Sequence, residues 1–286
     1  MSYRDLAVFS IVIPAHNEAS VIGRCLAALL EGLEGSQFEI IVVCNGCADD
    51  TAAIARSYSG VKVIELDVAS KVAALNAGDQ AASGFPRAYI DADIQLRGGD
   101  LLRALQEFET PGVEIVAPRL HVDLSRSNVM VKAFYGIWMR LPYFADGQMV
   151  GSGVFILSQA GRQRFGEFPQ IIADDGYVRS LFGGQERRTA NGCRFTIFAP
   201  QNLSDLIKIK SRVRFGNMEL KMKYPELSVG SENSPQALVS LVLKKPWLVP
   251  AAFVYAYVQW QTKRNADHRM AIADFSTWER DNSSRA

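Results

Sequence analysis

Two aspartates separated by one small residue, Asp91 and Asp93, follow the short apolar run of residues 88–90. Successive side chains of a strand point to opposite faces, so these carboxylates would diverge if a strand simply continued through them. Where a buried strand instead ends in a loop, both carboxylates can reach one hard cation, such as Mg2+ or Mn2+, which prefers oxygen ligands and keeps positions open for phosphates. The alternative is an ordinary solvated turn after a strand.

The composition is that of a folded, nearly neutral chain. Its 286 residues are 48% hydrophobic, which is enough for one large α/β domain or two small ones. There are 31 Lys and Arg residues against 30 Asp and Glu residues, and the net charge of +1 gives no general attraction to nucleic acid. We therefore expect no nucleic-acid partner.

We expect neither export nor a membrane-spanning segment. Residues 1–6 are charged and lack the apolar core of a signal peptide. No apolar run reaches the roughly 20 residues that span a bilayer. The expected location is the cytoplasm, with the inner face of the cell membrane as the alternative.

The four cysteines include Cys44 and Cys47, whose spacing matches redox and zinc motifs. No second cysteine pair and no nearby histidine completes a zinc site, because the histidines lie at positions 16, 121 and 268. We therefore expect free thiols in a reducing cytosol.

Strand and helix patterns alternate over the first third of the chain. Apolar β-branched runs predict buried strands, and apolar residues at helical spacing predict helices between them. The predicted strands are residues 8–14, 38–44, 61–66 and 89–91, and the predicted helices are residues 19–33, 52–58 and 71–82. This series predicts a parallel sheet that binds ligands at the carboxyl ends of its strands.

Three polar loops fall at that one edge of the predicted sheet: residues 15–18, 45–50 and 91–93. Their convergence is a stronger signal than any one loop. No Gly-x-Gly-x-x-Gly follows the first strand, which argues against a dinucleotide fold and against a Walker phosphate loop. Phosphate charge would then be met by a metal at Asp93 and by cations such as Lys71.

Four motifs together resemble those of family 2 glycosyltransferases, which are inverting enzymes of the GT-A fold. They are Pro-Ala-His-Asn-Glu at 14–18, Cys-Asn-Gly-Cys-Ala-Asp-Asp-Thr at 44–51, Ser-Lys-Val-Ala-Ala-Leu-Asn-Ala-Gly at 70–78 and Asp-Ala-Asp at 91–93. The second motif departs from the family's commonest form, in which Asp-Asp-Gly-Ser stands where this chain has Asn45 and Gly46. Either Asn45 or Asp49 is then the substitute for the usual base-binding acid.

The resemblance implies a GT-A fold, a Rossmann-like, mostly parallel sheet flanked by helices, with a C-terminal helical extension. Residues 1–222 would form the glycosyltransferase domain and residues 223–286 the extension. A nucleoside-diphosphate sugar would be the donor, Mn2+ or Mg2+ the metal, and a carbohydrate or lipid-linked hydroxyl the acceptor. The residues predicted to bind the donor are Pro14, Ala15, Asn17, Glu18, Asn45, Asp49, Lys71, Asp91, Ala92, Arg212 and Arg214, and Asp93 is predicted to bind the metal.

The predicted base comes from the pair Asp174 and Asp175. Inverting transfer needs a carboxylate that removes the proton of the acceptor hydroxyl. The pair falls where the resembled family carries Glu-Asp, which implies Asp175 as the base and Asp174 as its neighbour. The alternative is an N-cap for a predicted helix at residues 177–182.

Other segments leave several alternatives open. Strands are predicted at 113–117 and within 149–157, and helices at 129–141 and 235–243. The cations of residues 208–215 either neutralise the leaving diphosphate or form a solvated basic strand or a membrane-surface patch. Residues 236–262 lie in lipid headgroups, pack on the core or form a homodimer interface. A nucleotidyltransferase and a non-catalytic membrane-docked binding protein are the rival functions.

Overall fold

A computed structural model describes residues 8–145, 153–227 and 234–272. Predictions for residues 1–6 and 149–152 lie outside this range. The described residues form two compact units, the first made of 8–121, 153–170 and 181–197 and the second of 122–145, 171–180, 198–227 and 234–272. The predicted boundary between residues 222 and 223 falls inside the second unit. The division into a catalytic domain and an extension stays a prediction.

Strands and helices alternate through the first part of the chain. In chain order the first elements are β1 (Phe9–Ala15), α1 (Ile22–Leu30), β2 (Phe38–Asn45), α2 (Thr51–Arg56), β3 (Val61–Leu66), α3 (Lys71–Ala81), β4 (Arg87–Ile90), β5 (Gln95–Leu96) and α4 (Gly98–Leu105). The later elements are β6 (Ile115–Asp123), α5 (Val129–Trp138), α6 (Pro142–Ala145), β7 (Val154–Leu157), α7 (Gln159–Arg162), α8 (Asp174–Ser180), β8 (Arg187–Phe198), α9 (Leu203–Lys223), α10 (Pro235–Lys244) and α11 (Val249–Ala271). Two short 3-10 helices, Gln106–Glu109 and Pro246–Leu248, follow α4 and α10.

The strands form one sheet in the order β3-β2-β1-β4-β7-β6-β8-β5. β1 pairs in parallel with β2 and β4, and β2 pairs in parallel with β3. β7 is antiparallel to β4 and β6, and β5 is antiparallel to β8. The predicted parallel arrangement of the first four strands is therefore confirmed.

The sheet is covered closely by α3. Every residue of β1 is buried, as expected for a strand with helices on both faces. A Cβ atom at Gly78 of α3 would collide with the Val12 side chain, so glycine lets this helix approach the sheet. The hydroxyl of Ser70 accepts a hydrogen bond from Ala73 N and caps the start of α3.

A buried charge network ties α3, β4 and α7 together within the first unit. Asp79 accepts hydrogen bonds from Arg87, from the Tyr89 hydroxyl and, at 2.6 Å, from Arg162 Nη2. Burial opposes the ionisation of Asp79, but these hydrogen bonds outweigh it and lower the pKa of the carboxyl. Removing one member of such a network would leave buried charge uncompensated, so it fixes how these elements meet.

In the second unit α11 packs along α5 and α9. The ring of Tyr255 stacks on Phe134 with centroids 5.2 Å apart, and the guanidinium of Arg269 lies 4.4 Å from the centre of Phe215. One side of α11 is therefore part of the core. No described helix has the length and apolar character needed to cross a bilayer.

Candidate active site

The carboxyl ends of β1, β2 and β4 lie side by side in the first unit. Ala15, the last residue of β1, is in register with Cys44, so β2 ends one residue later, at Asn45, and the loop that follows starts at the same level. β4 ends at Ile90, and Asp91 follows it directly. The three polar loops therefore meet at one edge of the sheet, as predicted.

The loop after β1 is held by the loop after β2. Asn17 has a φ of +51°, an unusual backbone conformation for a residue with a side chain, and its Oδ1 accepts a hydrogen bond of 2.7 Å from Ala48 N. The buried Asn45 amide donates to Ala15 O at 2.9 Å. Pro14 and Ala15 are buried residues of β1, and their contact with a donor stays a prediction.

His16 and Thr51 complete this frame, although neither was among the residues predicted to bind the donor. The carbonyl of Asn45 can only accept, so His16 Nδ1 donates to it at 2.6 Å and leaves Nε2 to accept from Asn17 at 3.3 Å. Thr51 Oγ1 accepts from Glu18 N at 2.7 Å and donates to Asp49. The available signal was their position inside two polar loops that follow neighbouring strands.

Asp49 also acts on the backbone of both loops. Its carboxylate accepts from Ala19 N at 3.1 Å and from Thr51 N at 3.1 Å. These contacts fix the first turn of α2 and the path into α1. The roles of Asn17, Asn45 and Asp49 in binding a donor stay predictions, but each also determines the shape of the loops.

Lys71 and Asp91, predicted from separate motifs, form an ion pair of 2.8 Å. Lys71 is the first residue of α3, and the backbone N–H of Asp91 donates to Gly153 O at 2.8 Å. Gly153 has a φ of +84°, and a Cβ there would lie 2.7 Å from Asp91 Oδ2. Glycine at 153 therefore leaves room for the Asp91 carboxylate beside Lys71.

Three carboxylates lie within electrostatic range of one buried thiol on α1. Burial, together with the negative charges of Asp93, Asp91 and Glu18, raises the pKa of Cys25 to about 12, against the opposing charge of Arg24. Glu18 is only 7% exposed, whereas Asp91 and Asp93 are half-buried. Negative charge is therefore concentrated where the predicted metal ligand lies.

The residues at this edge suit a hard divalent cation. Within the described ranges no three His, Cys, Asp or Glu side chains are grouped as a ready-made metal site. Asp93 can offer carboxylate oxygens, and Asp91 is already paired with Lys71. A cation that binds one or two protein carboxylates and fills its other positions with phosphate oxygens and water fits this donor set.

The predicted base residues lie in the second unit, in the first turn of α8. The helix begins at Asp174, so neither acid is an N-cap that precedes the helix. Their negative charges instead interact favourably with the positive N-terminal end of the helix dipole. Asp174 is 3% exposed, and Asp175 is half-buried with Oδ1 accepting from Gly176 N at 2.7 Å. Of the two, Asp175 is the more accessible carboxylate.

α8 is supported by α9 on its inner side. Ile171, Ala173 and Leu220 form a small buried cluster. The carboxylate of Glu219 accepts a hydrogen bond of 2.9 Å from Ile172 N and forms an ion pair of 2.7 Å with Lys223. The chain that leads into the two aspartates is thus anchored to one helix.

The basic residues 208–215 are helical, which corrects the basic-strand alternative. At about 100° per residue, cations spaced two apart fall on opposite sides of a helix, so Arg212 and Arg214 do not share one face. Lys210 lies 4.5 Å from the centre of the Trp138 ring, and desolvation there lowers its pKa to about 8. Donor binding by Arg212 or Arg214 stays a prediction.

The thiol prediction agrees with the structure. Cys25, Cys44, Cys47 and Cys193 are all free. Cys47 accepts from Asn17 N at 3.3 Å and contacts Ala15 O at 3.4 Å, so its thiol contributes to the loop frame.

The model of glycosyl transferase family 2 matches residues 10–166, more than half of the chain. Among curated relatives, Glycosyltransferase AglE of Haloferax volcanii is 33% identical over 117 residues, which are 39% of this chain and 38% of AglE. The 4,4'-diaponeurosporenoate glycosyltransferase of Staphylococcus aureus is 33% identical over 101 residues, which are 34% of this chain and 26% of that protein. The chain therefore matches well under two thirds of the length of these relatives.

Solved structures with a similar fold are glycosyltransferases as well. Mannosyltransferase PcManGT from Pyrobaculum calidifontis, solved with GDP-Man and Mn2+, has a TM-score of 0.62, 18% identity and coverage of 94% of this chain and 76% of that chain. Glucosyl-3-phosphoglycerate synthase from Mycobacterium tuberculosis, solved with Mn2+, UDP and glucosyl-3-phosphoglycerate, has a TM-score of 0.55, 17% identity and coverage of 80% and 83%. This likeness confirms the predicted GT-A fold, and the family match shows that the chain belongs to glycosyl transferase family 2.

Proposed function

We propose that this protein transfers one sugar from a nucleoside-diphosphate sugar to a hydroxyl acceptor, with inversion at the anomeric carbon. The observation that carries the proposal is the convergence, at one sheet edge, of Glu18, Asp93 and the Lys71–Asp91 ion pair. This edge of the sheet combines the positive charge of Lys71 with carboxylates that can hold a metal ion, as a binding site for a sugar diphosphate requires. The similar structures solved with GDP-Man or UDP support a nucleotide donor.

In this proposal Asp93 would hold a divalent cation, Mn2+ or Mg2+, beside the donor's diphosphate. When bound, that cation would neutralise the charge that develops on the leaving diphosphate. Lys71 adds a positive charge near the same group, and its partner Asp91 faces the ribose or the sugar. Asn17, Glu18, Asn45 and Asp49 surround the nucleoside, and the contacts between their loops keep that surface preorganised.

Asp175 is the proposed general base. The acceptor oxygen attacks the anomeric carbon as the bond from that carbon to the diphosphate oxygen breaks. The hydroxyl proton passes to the Asp175 carboxylate, and the nucleoside diphosphate leaves with the bonding electron pair. The half-buried carboxylate at the start of α8 is accessible enough to receive that proton.

The acceptor is proposed to be a carbohydrate or lipid-linked hydroxyl of a surface-polysaccharide or glycolipid pathway. The chain lacks the Gln-x-x-Arg-Trp sequence of processive relatives and has Arg212 and Arg214–Phe215 in that region. We therefore favour a single transfer over polymer synthesis. A cytoplasmic location belongs to the same proposal, since nucleotide sugars are the donors.

Donor binding is tested by calorimetry with uridine, guanosine, thymidine and cytidine diphosphates, each with and without Mn2+. We expect one diphosphate to bind, and Mn2+ to strengthen its binding, because Asp93 would hold the cation and the cation would offset the negative charge of the phosphates. Magnesium replaces manganese in a parallel series as the control for metal type. A chain that binds none of the four diphosphates under either condition would remove the basis for the proposal.

A further inference from the structure

An apolar surface covers much of α10, the 3-10 helix and the first half of α11. Among the described residues, seven of thirteen strongly exposed large hydrophobic side chains fall between positions 239 and 260. We name them the α10–α11 apolar surface: Val239, Leu243, Trp247, Val249, Phe253, Tyr257 and Trp260. Leu243 is 78% exposed, Phe253 73% and Trp247 71%. Such a concentration of exposed apolar area marks an interaction site.

α11 divides cleanly into a core side and a surface side. Its buried residues are Tyr255, Val258, Thr262, Ala266 and Arg269. The exposed residues Val249, Phe253, Tyr257 and Trp260 are spaced four, four and three apart, which places them in one stripe on the opposite side of the helix. The core already uses the other side, so this stripe is left for a partner.

α10 is apolar along most of its length and yet has no buried residue. The apolar residues are Ala237, Leu238, Val239, Leu241, Val242 and Leu243. Water is a poor environment for a helix of this composition, and most helical stability in proteins comes from covering an apolar face. α10 therefore needs an apolar environment that the described part of the chain does not supply.

The charges within the segment that carries this surface are all positive. Residues 234–266 contain Lys244, Lys245, Lys263 and Arg264 and no Asp or Glu, although charges balance almost evenly over the whole chain. Lys263 pairs with Asp267 at 2.6 Å, and the Arg264 guanidinium lies 5.9 Å from the centre of the Trp260 ring. The exposed Lys244 and Lys245 lie at the end of α10, a few residues before Trp247 in the chain.

We propose that the α10–α11 apolar surface docks on a membrane rich in anionic lipids. Trp and Tyr residues favour the boundary between headgroups and acyl chains, and lysines beside them attract anionic headgroups. A two-fold contact between copies of this chain would bring Lys244 and Lys245 of both copies into one interface, and residues 234–266 contain no acid to compensate them. Charge therefore favours lipid over a second copy, and α11 would lie along the membrane rather than across it.

Docking is tested by co-sedimentation of the full chain with vesicles of phosphatidylcholine alone or of equal parts phosphatidylcholine and phosphatidylglycerol. We expect binding to the anionic vesicles that weakens with added salt. The double variant Trp247→Ser with Phe253→Ser should bind at least about tenfold more weakly, because two large rings no longer insert. The double variant Lys244→Glu with Lys245→Glu should lose at least about tenfold on anionic vesicles alone.

The matched control is Val129→Ser with Met222→Ser, which removes two exposed apolar side chains elsewhere in the same unit. It should bind vesicles like the unaltered chain, and all variants should keep the same thermal unfolding midpoint because the replaced side chains are exposed. No binding to anionic vesicles, or equal binding by the Trp247 and Phe253 variant, overturns the proposal. Light scattering that shows a dimer broken by that variant, without vesicle binding, assigns the surface to a second copy instead.

Discussion

Replacing Asp175 by asparagine is expected to lower the rate of sugar transfer by about 10²–10⁴-fold, because a general base contributes roughly that factor to the chemical step. The affinity for the donor should not change. The asparagine oxygen can still accept the hydrogen bond that Asp175 Oδ1 takes from Gly176 N at 2.7 Å. The start of α8 should therefore keep its shape. The measurements are the turnover rate and the calorimetric affinity for the donor nucleotide.

Asp205→Asn is the matched control for Asp175→Asn. Asp205 also lies in the first turn of a helix in the second unit, so its replacement removes the same charge from a similar position. It should leave turnover close to that of the unaltered chain. A chain with Asp175→Asn that transfers sugar at the normal rate would show that the base is another residue, and loss of turnover in Asp174→Asn alone would point to its neighbour.

Replacing Asp93 by alanine is expected to weaken Mn2+-dependent donor binding by at least about 30-fold. The substitution removes the carboxylate assigned to the cation, and the loss of one partner in a charged contact costs roughly 2 kcal/mol or more. Asp93 is half-buried, so the fold should tolerate the smaller side chain. The measurement is the calorimetric affinity for the diphosphate that binds best, with and without Mn2+.

Asp50→Ala is the control for Asp93→Ala. Asp50 is exposed in the loop after β2, makes no side-chain capping bond to α2 and has no predicted role in the site. Its replacement therefore removes a carboxylate from the same edge of the sheet. Its affinity for the diphosphate should not change. Equal Mn2+ stimulation of binding in Asp93→Ala and in the unaltered chain would assign the metal to other ligands.

The parallel part of the fold could be predicted closely because β1 and β2 are apolar, mostly buried runs and β3 is a short β-branched run. β2 and β3 were predicted to within one residue of their observed bounds, and the start of α3 at Lys71 was predicted correctly. Parallel pairing then followed from alternation, and with it the edge at which the loops meet.

Two later elements were beyond this reasoning for different physical reasons. β8 is polar at many positions and contains Asn191 and Gly192, so it lacks the apolar pattern of a buried strand. α9 alternates cations with other residues at period 2, which resembles a strand. Its tertiary contacts with α11 and with α8 decide in favour of a helix.

The position of the site could be predicted from the polar loops that follow the strands, but the contacts between its side chains could not. The sequence did not indicate the pairing of Lys71 with Asp91 or of Gly153 with Asp91, because these contacts join residues far apart in the chain. The inward turn of the Asn45 amide onto Ala15 O depends on strand register, which composition does not reveal. The bonds of His16 and Thr51 were inaccessible for the same reason.

Sugar transfer from a nucleotide donor is tested most directly by proton NMR of the protein incubated with Mn2+ and GDP-mannose or UDP-glucose, with water or a simple glycoside as acceptor. We expect release of a nucleoside diphosphate and a newly formed sugar whose anomeric configuration is opposite to that of the donor. Cleavage to a sugar 1-phosphate and a nucleoside monophosphate, or retention of the donor's configuration, would contradict it.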